Sequence, residues 1–181
     1  MYSEGYLHQH IQPDGWQTGS NECLDRDAAP VKRVLNWDGD HLVVRVPYVE
    51  PAIYVAVWKV DVGKVPLYLL DTDIPLNDEA SRRISSSLYM SDREERIRQE
   101  IVLGIGGRMV LRTLGIEYSA VHLNEGHPAF ALLEQIRERM EHGTSFDDAV
   151  RQVQGTTVFT THTPVAAVSY THLTLPTNRE V

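Results

Sequence analysis

Apolar residues are spaced along this chain in two different rhythms. Between residues 31 and 71 they come in short runs rich in β-branched and aromatic side chains, at 31–37, 42–48, 53–62 and 66–71, each read as a strand. Asp38-Gly39-Asp40 separates the first two runs and is a hairpin turn signal. Within 53–62 both alternating sets are largely apolar, which predicts a strand covered on both faces. The run at 66–71 reads as a short buried strand ending in an acidic turn. Residues 1–30 are polar and turn-rich, with Pro13-Asp14-Gly15 as a turn and Trp16 as the one large anchor. Residues 72–91 are polar and loop-like.

From residue 92 onward the period changes. Asp92 can cap a helix that runs to about Leu114, with Ile97, Ile101, Val102 and Ile105 at helical spacing and Gly115 as its stop. A strand is expected over 118–123. A helix follows over 128–141 with Leu132, Leu133, Ile136 and Met140 as its apolar face, then a shorter helix capped by Ser145, then a strand over 156–161. Strand, helix, helix, strand with short connections is the pattern of a parallel sheet flanked by helices. The fold class is therefore α/β: an open α/β unit over about 92–167, preceded by a β-rich insert at about 30–75.

Composition narrows the partners. The chain has 181 residues, 42% of them hydrophobic, enough for a real core. A net charge of −8 offers no basic stripe for nucleic acid or for an anionic membrane surface, and no apolar stretch has the length of a membrane span. The single cysteine, Cys23, has no internal partner, so a reducing cytoplasm is the expected compartment. The N-terminus reads as a chain entered in its middle. The last segment, 168–181, lacks periodicity and reads as a non-native tail derived from a cloning adapter.

In open α/β sheets, ligands gather at the carboxyl ends of the strands. Two motifs fall there. The first is Asn124-Glu125-Gly126-His127-Pro128, between a strand and a helix start; the second is Thr160-Thr161-His162-Thr163-Pro164. If the two strands are neighbours, Glu125 and His162 come within hydrogen-bond reach. A carboxylate would then fix the imidazole tautomer and leave its other nitrogen for a hydroxyl-rich ligand. A satisfied structural histidine and a plain helix cap are the competing accounts of the same residues. Gly104-Ile105-Gly106-Gly107 is not a dinucleotide loop, because it lies inside a helical pattern; close helix packing accounts for it. His8 and His10 have metal-like spacing but no third ligand, so no metal site is expected. Asp71 and Asp73 fit turn chemistry as well as a cation site, and residues 93–100 read as a solvated helix face with ion pairs.

Ordered pieces of the chain resemble the α-glucan phosphorylases, and their bacterial branch most strongly. They are Asp14-Gly15-Trp16-Gln17, Val57-Trp58-Lys59-Val60-Asp61-Val62-Gly63, Val65-Pro66-Leu67-Tyr68-Leu69-Leu70-Asp71-Thr72-Asp73, Arg96-Ile97-Arg98-Gln99-Glu100, Val121-His122-Leu123-Asn124-Glu125-Gly126-His127 and Phe159-Thr160-Thr161-His162-Thr163-Pro164-Val165. The likeness is collinear over about residues 1–167. It implies two Rossmann-like domains facing across a cleft, of the GT-B type, with this chain forming part of the first. It also implies transfer of a terminal α-1,4-glucosyl unit from a glucan or maltooligosaccharide to inorganic phosphate, giving glucose 1-phosphate.

By the same resemblance pyridoxal phosphate sits on a lysine of the second domain, outside this chain, so the isolated chain is expected to be inactive. His162 matches the histidine that hydrogen-bonds the transferred glucose. Asn124, Glu125 and His127 match the motif that supports it, where the animal enzymes carry Asp in place of Glu125; Thr163 stands beside His162. Residues 88–92 fall at the loop that gates the site, with Asp92 at its end and Arg96 on the following helix; Met90-Ser91 replaces the expected Gly-Gly. A nucleotide-sugar-dependent glucan synthase, which shares the architecture, and a non-catalytic glucan-binding module are the alternatives. The long β insert and the 96–100 helix favour phosphorylase.

Overall fold

A computed structural model describes residues 6–22, 24–26, 28–88 and 92–162. The chain divides into two compact units, Met1–Val102 and Leu103–Val181.

The first unit opens with an antiparallel hairpin, β1 (Tyr6–Ile11) and β2 (Gln17–Glu22). The expected turn joins them. Gln12 donates to the Trp16 carbonyl at 2.8 Å, and Gly15 takes φ +83°, where a side chain would be strained. The polar stretch thus hides a hairpin that the sequence pattern does not show. Trp16 is no anchor, being 73% exposed.

The main sheet is built on β5 (Ile53–Val62), whose bounds match the expectation. β3 (Lys32–Arg33) and β4 (Val43–Val46) pair antiparallel with successive parts of one edge, and β6 (Val65–Asp71) pairs with the other. Val46, Ile53, Val55, Ala56 and Val57 are wholly buried, so the first half of β5 is covered on both faces as expected. Two strand readings need correction. The 31–37 run shrinks to the two residues of β3 plus a single bridge from Leu35 to His41. The cause is Asn36, whose side-chain oxygen accepts from the Asp38 and Asp40 amides and starts the turn early. β6 is not buried throughout. It is exposed at Val65 and Leu67 and becomes buried only toward Asp71.

Residues 72–91 are not all loop: they contain α1 (Glu79–Arg83), capped by Asp78, which accepts from the Ser81 amide at 2.7 Å. A buried polar cluster holds this segment against the sheet. Arg26 meets Asp71 at 2.9 Å and Asp73 at 3.2 Å, the Trp58 indole donates to Asp71, and Thr72 and Ser85 exchange hydrogen bonds. Asp71 and Asp73 are therefore carboxylates paired with arginine. α2 (Arg93–Ile101) starts at Asp92, whose side chain accepts from the Glu94 and Glu95 amides. Its Arg98–Glu94 pair is the expected surface pair, whereas Arg96 and Glu100 are mostly covered, with side chains 17% and 12% exposed.

The helix does not continue evenly to Leu114. A π-helical turn, Val102–Gly106, precedes α3 (Gly107–Thr113), and Gly115 at φ +64° ends the segment as expected.

In the second unit β7 (Val121–Asn124) and β8 (Thr157–Thr160) pair in parallel. Between them come α4 (Phe130–Glu141) and α5 (Phe146–Gly155), the latter capped by Ser145. Leu123, Ala149 and Val153 form the buried centre. Close packing at Gly104 is confirmed: a Cβ there would stand 2.7 Å from the Ala131 nitrogen and 2.8 Å from the Phe130 Cβ. The expected apolar face of α4 is corrected. Leu133 and Met140 are 54% and 46% exposed, and the buried residues are Glu134, Gln135 and Glu138. Arginines reverse the pattern, since Glu138 meets Arg108 at 2.6 Å and Arg112 at 3.1 Å, and Arg137 holds Glu134.

Candidate functional site

Parallel pairing brings the two motifs to the same end of the same strand pair. Asn124 is the partner of Thr160 in the register, so the residues that follow each strand emerge side by side. The Glu125 amide continues the ladder, donating to the Thr160 carbonyl at 2.8 Å. Glu125 then turns sharply into the left-handed region at φ +62°, the one non-glycine residue with positive φ among those described. This conformation costs roughly 1–3 kcal/mol for a residue with a side chain. It folds the carboxylate back across the end of β8.

There the Glu125 carboxylate accepts the backbone N–H of His162 and, at 3.3 Å, the hydroxyl of Thr161. The imidazole turns to Asn124 instead, with Nε2 2.9 Å from the Asn124 side-chain oxygen. The expectation that a carboxylate fixes the ring is corrected here: an amide oxygen faces the ring, and the carboxylate fixes the backbone that carries it. An acceptor at Nε2 selects the Nε2–H tautomer and leaves Nδ1 as the ring's acceptor nitrogen. Asn124 and His162 are exposed, while Glu125 and His127 are half-buried.

The same face carries a pair that sequence reasoning missed. His122 lies two residues before Asn124, and its Nε2 stands 2.7 Å from the Thr160 hydroxyl. Strand alternation was the available signal, because residues two apart share a face.

Asp92 and Arg96 belong to the first unit, where Asp92 caps α2 and Arg96 pairs with Glu100 at 3.5 Å. Thr163 lies outside the described residues, as do Cys23, Met90 and Ser91 and the segment 163–181. Among the described residues no group of three or more His, Cys, Asp or Glu side chains is placed to hold a metal ion, and no helix is long and apolar enough to cross a membrane. The chain's lysines, Lys32, Lys59 and Lys64, all lie in the first unit. Lys59 is engaged with Asp61 at 2.8 Å, and Lys32 is on the short edge strand β3. These residues do not build a site for pyridoxal phosphate.

No family model matches the chain. Among curated proteins it is similar to a maltodextrin phosphorylase from Thermococcus litoralis, 45% identical over 167 residues that make up 92% of this chain and 20% of the relative. It is also similar to glycogen phosphorylases from Aquifex aeolicus, at 40% identity over 95% of this chain and 25% of the relative, and from Mycobacterium tuberculosis, at 41% over 92% and 20%. The chain is thus a homologue of the glycogen and maltodextrin phosphorylases along nearly all of its length, and it spans about a fifth to a quarter of theirs.

Proposed function

We propose that this chain is a segment of an α-glucan phosphorylase, the part of the first domain that presents the transferred sugar to His162. The observation that carries the reading is the Asn124–Glu125–His162 constellation at the carboxyl ends of two parallel strands. Such an arrangement suits a hydroxyl-rich ligand, with an acceptor nitrogen positioned by hydrogen bonds to a neighbouring carboxylate and amide. Nδ1 of His162 would accept a hydrogen bond from a sugar hydroxyl. Asn124 would keep the ring in that tautomer, and Glu125 would keep its backbone in place. His127 and Thr163 would complete the sugar side, and by the resemblance Asp92 and Arg96 of α2 would serve substrate binding.

In this reading residues 1–167 are part of a Rossmann-like domain, with the β-rich insert at about 30–75 and the α/β unit at about 92–167; residues 168–181 are a non-native tail. The substrates are an α-1,4-glucan or maltooligosaccharide and inorganic phosphate, and the compartment is the cytoplasm. Pyridoxal phosphate would be carried by a lysine outside this chain, and the hydrogen bonds of His162, Asn124 and Glu125 do not depend on it.

The test is phosphorolysis of a maltooligosaccharide by a full-length protein carrying this segment, followed as release of glucose 1-phosphate. Activity is expected, with His162→Ala lowering kcat/KM by about two to three orders of magnitude, the scale of a lost transition-state hydrogen bond. The isolated chain is expected to release none. Release by the isolated chain, or full activity in the His162→Ala variant, would overturn the reading.

A further inference from the structure

We propose that Gln99 is a positioning residue for the Asp92–Arg96 stripe of α2. The inference deepens the functional reading above and rests on it for the substrate role of that stripe. Gln99 is half-buried, and its amide nitrogen donates at 2.7 Å to the Ile84 carbonyl and at 2.9 Å to the Ser87 carbonyl. Both acceptors are backbone atoms of the turn that follows α1, so one side chain on α2 caps the end of another helix and the turn after it. Asp92, Arg96 and Gln99 follow one another at intervals of four and three residues, which places them along one stripe of the helix.

The turn that Gln99 grips is itself fixed from below. Ser85 is 8% exposed, its amide donates to the Thr72 hydroxyl at 3.0 Å, and its hydroxyl reaches Asp71 at 3.3 Å. Asp71 is in turn held by Arg26 and by the Trp58 indole. A continuous hydrogen-bonded path therefore runs from the central strand β5, through Asp71 and Ser85, to the Ile84–Ser87 carbonyls and Gln99. Gln99 is its last member and lies about 10 Å along the helix from Asp92 by the helical rise. Without it, α2 loses this register against the turn. Few other side chains could replace it, because two carbonyl oxygens need two hydrogens from one planar group.

Two substitutions separate positioning from bulk. Gln99→Met keeps the length and volume and removes both donors. Gln99→Glu keeps the shape but sets a carboxylate against two carbonyl oxygens. That repulsion raises the folded-state pKa of the new carboxyl, so lowering the pH protonates it and restores one of the two bonds.

In the chain as it stands, hydrogen exchange should show protection at the Ser85 and Ser86 amides falling at least tenfold in Gln99→Met, with Val55 and Val57 of β5 unchanged. Gln99→Glu should show the same loss at pH 7 and recover toward wild type at pH 5. In a full-length phosphorylase carrying this segment, Gln99→Met should lower kcat/KM for phosphorolysis at least tenfold. Unchanged protection at Ser85 and Ser86, or an equal loss across β5, overturns the clamp. An active wild-type enzyme that keeps its full rate as Gln99→Met overturns the positioning role. A wild-type full-length protein without phosphorolysis sinks the functional reading instead, while the exchange result still judges the clamp.

Discussion

The two units of this chain build their buried centres in different ways. In the first, Val44 and Val46 of β4 and Ile53, Val55, Ala56 and Val57 of β5 are buried, and the buried polar groups Asp71, Thr72, Asn77 and Ser85 are joined by hydrogen bonds. In the second, a parallel pair of four-residue strands leaves Val158 and Phe159 55% and 53% exposed on opposite faces, and α4 turns Leu133 and Met140 outward. An antiparallel sheet on one long strand closes its core within a short stretch of sequence. A parallel pair joined through helices needs covering layers on both sides before its apolar surface is used up. Asn124, Glu125 and His162 lie in the second unit, at the strand ends of its parallel pair, where chemistry goes with that architecture.

Substitutions can break this contrast. All three tryptophans lie in the first unit, so fluorescence follows that unit, while amide exchange at Leu123 follows the second. The largest effect is expected from Asp71→Ala. It leaves Arg26 and the Trp58 indole without their shared acceptor, and urea unfolding followed by fluorescence should lose about 3–5 kcal/mol. Next is Gly104→Ala in the second unit. There a methyl group meets the backbone nitrogen of Ala131 at 2.7 Å, and backbone cannot swing aside. Exchange at Leu123 should report roughly 1–3 kcal/mol of destabilisation. A Gly104→Ala variant as stable as wild type would show that α4 is loosely held and would sharpen the contrast further.

A pH-dependent effect of smaller size is expected at Asp73. Its partial burial opposes ionisation, but hydrogen bonds and charge from Arg82 and Arg26 outweigh it and hold the carboxyl below its ordinary value. A depressed folded-state pKa contributes stability that is present above the unfolded value of about 4 and is lost as the pH falls below it. Asp73→Asn should therefore be less stable than wild type at neutral pH, with the gap closing through the acid limb of a urea titration. A gap of constant size from pH 7 to pH 2.5 would remove the charge from the account. The smallest change is expected from Leu133→Ser. It should alter stability by less than about 0.5 kcal/mol in a urea titration because the side chain is already half in water.

The parts of the fold legible in the sequence were those set by local rules. Asp92 and Ser145 announced helix starts because a short oxygen-bearing side chain can reach the amides two or three residues ahead, and the structure has both caps. The bounds of β5 followed from ten consecutive residues of strand-forming type. The two motifs could be placed together because a strand–helix–helix–strand pattern leaves few options other than parallel pairing.

What escaped was decided by partners distant in sequence. Nothing in the α4 segment itself says that Glu138 points inward; Arg108 and Arg112, 30 and 26 residues earlier, make it possible. The π-helical turn at Val102–Gly106 has no composition of its own. The exchange of roles at His162, amide to the ring and carboxylate to the backbone, hangs on the backbone angle of Glu125, which its identity does not announce.

That angle bears on how this position can vary. A residue at φ +62° is screened first by its backbone and only then by its chemistry. Valine, isoleucine and threonine are excluded by their branched Cβ before any question of a carboxylate arises. Glycine passes the first screen at no cost and fails the second, since it has no oxygen to offer the His162 amide. Asparagine and aspartate are the side chains best suited to such a backbone, and aspartate keeps the charge on a shorter arm. Drift at position 125 is thus confined to a corridor of glutamate, aspartate and asparagine. The width of that corridor is set by steric geometry at one Cα before any ligand is considered.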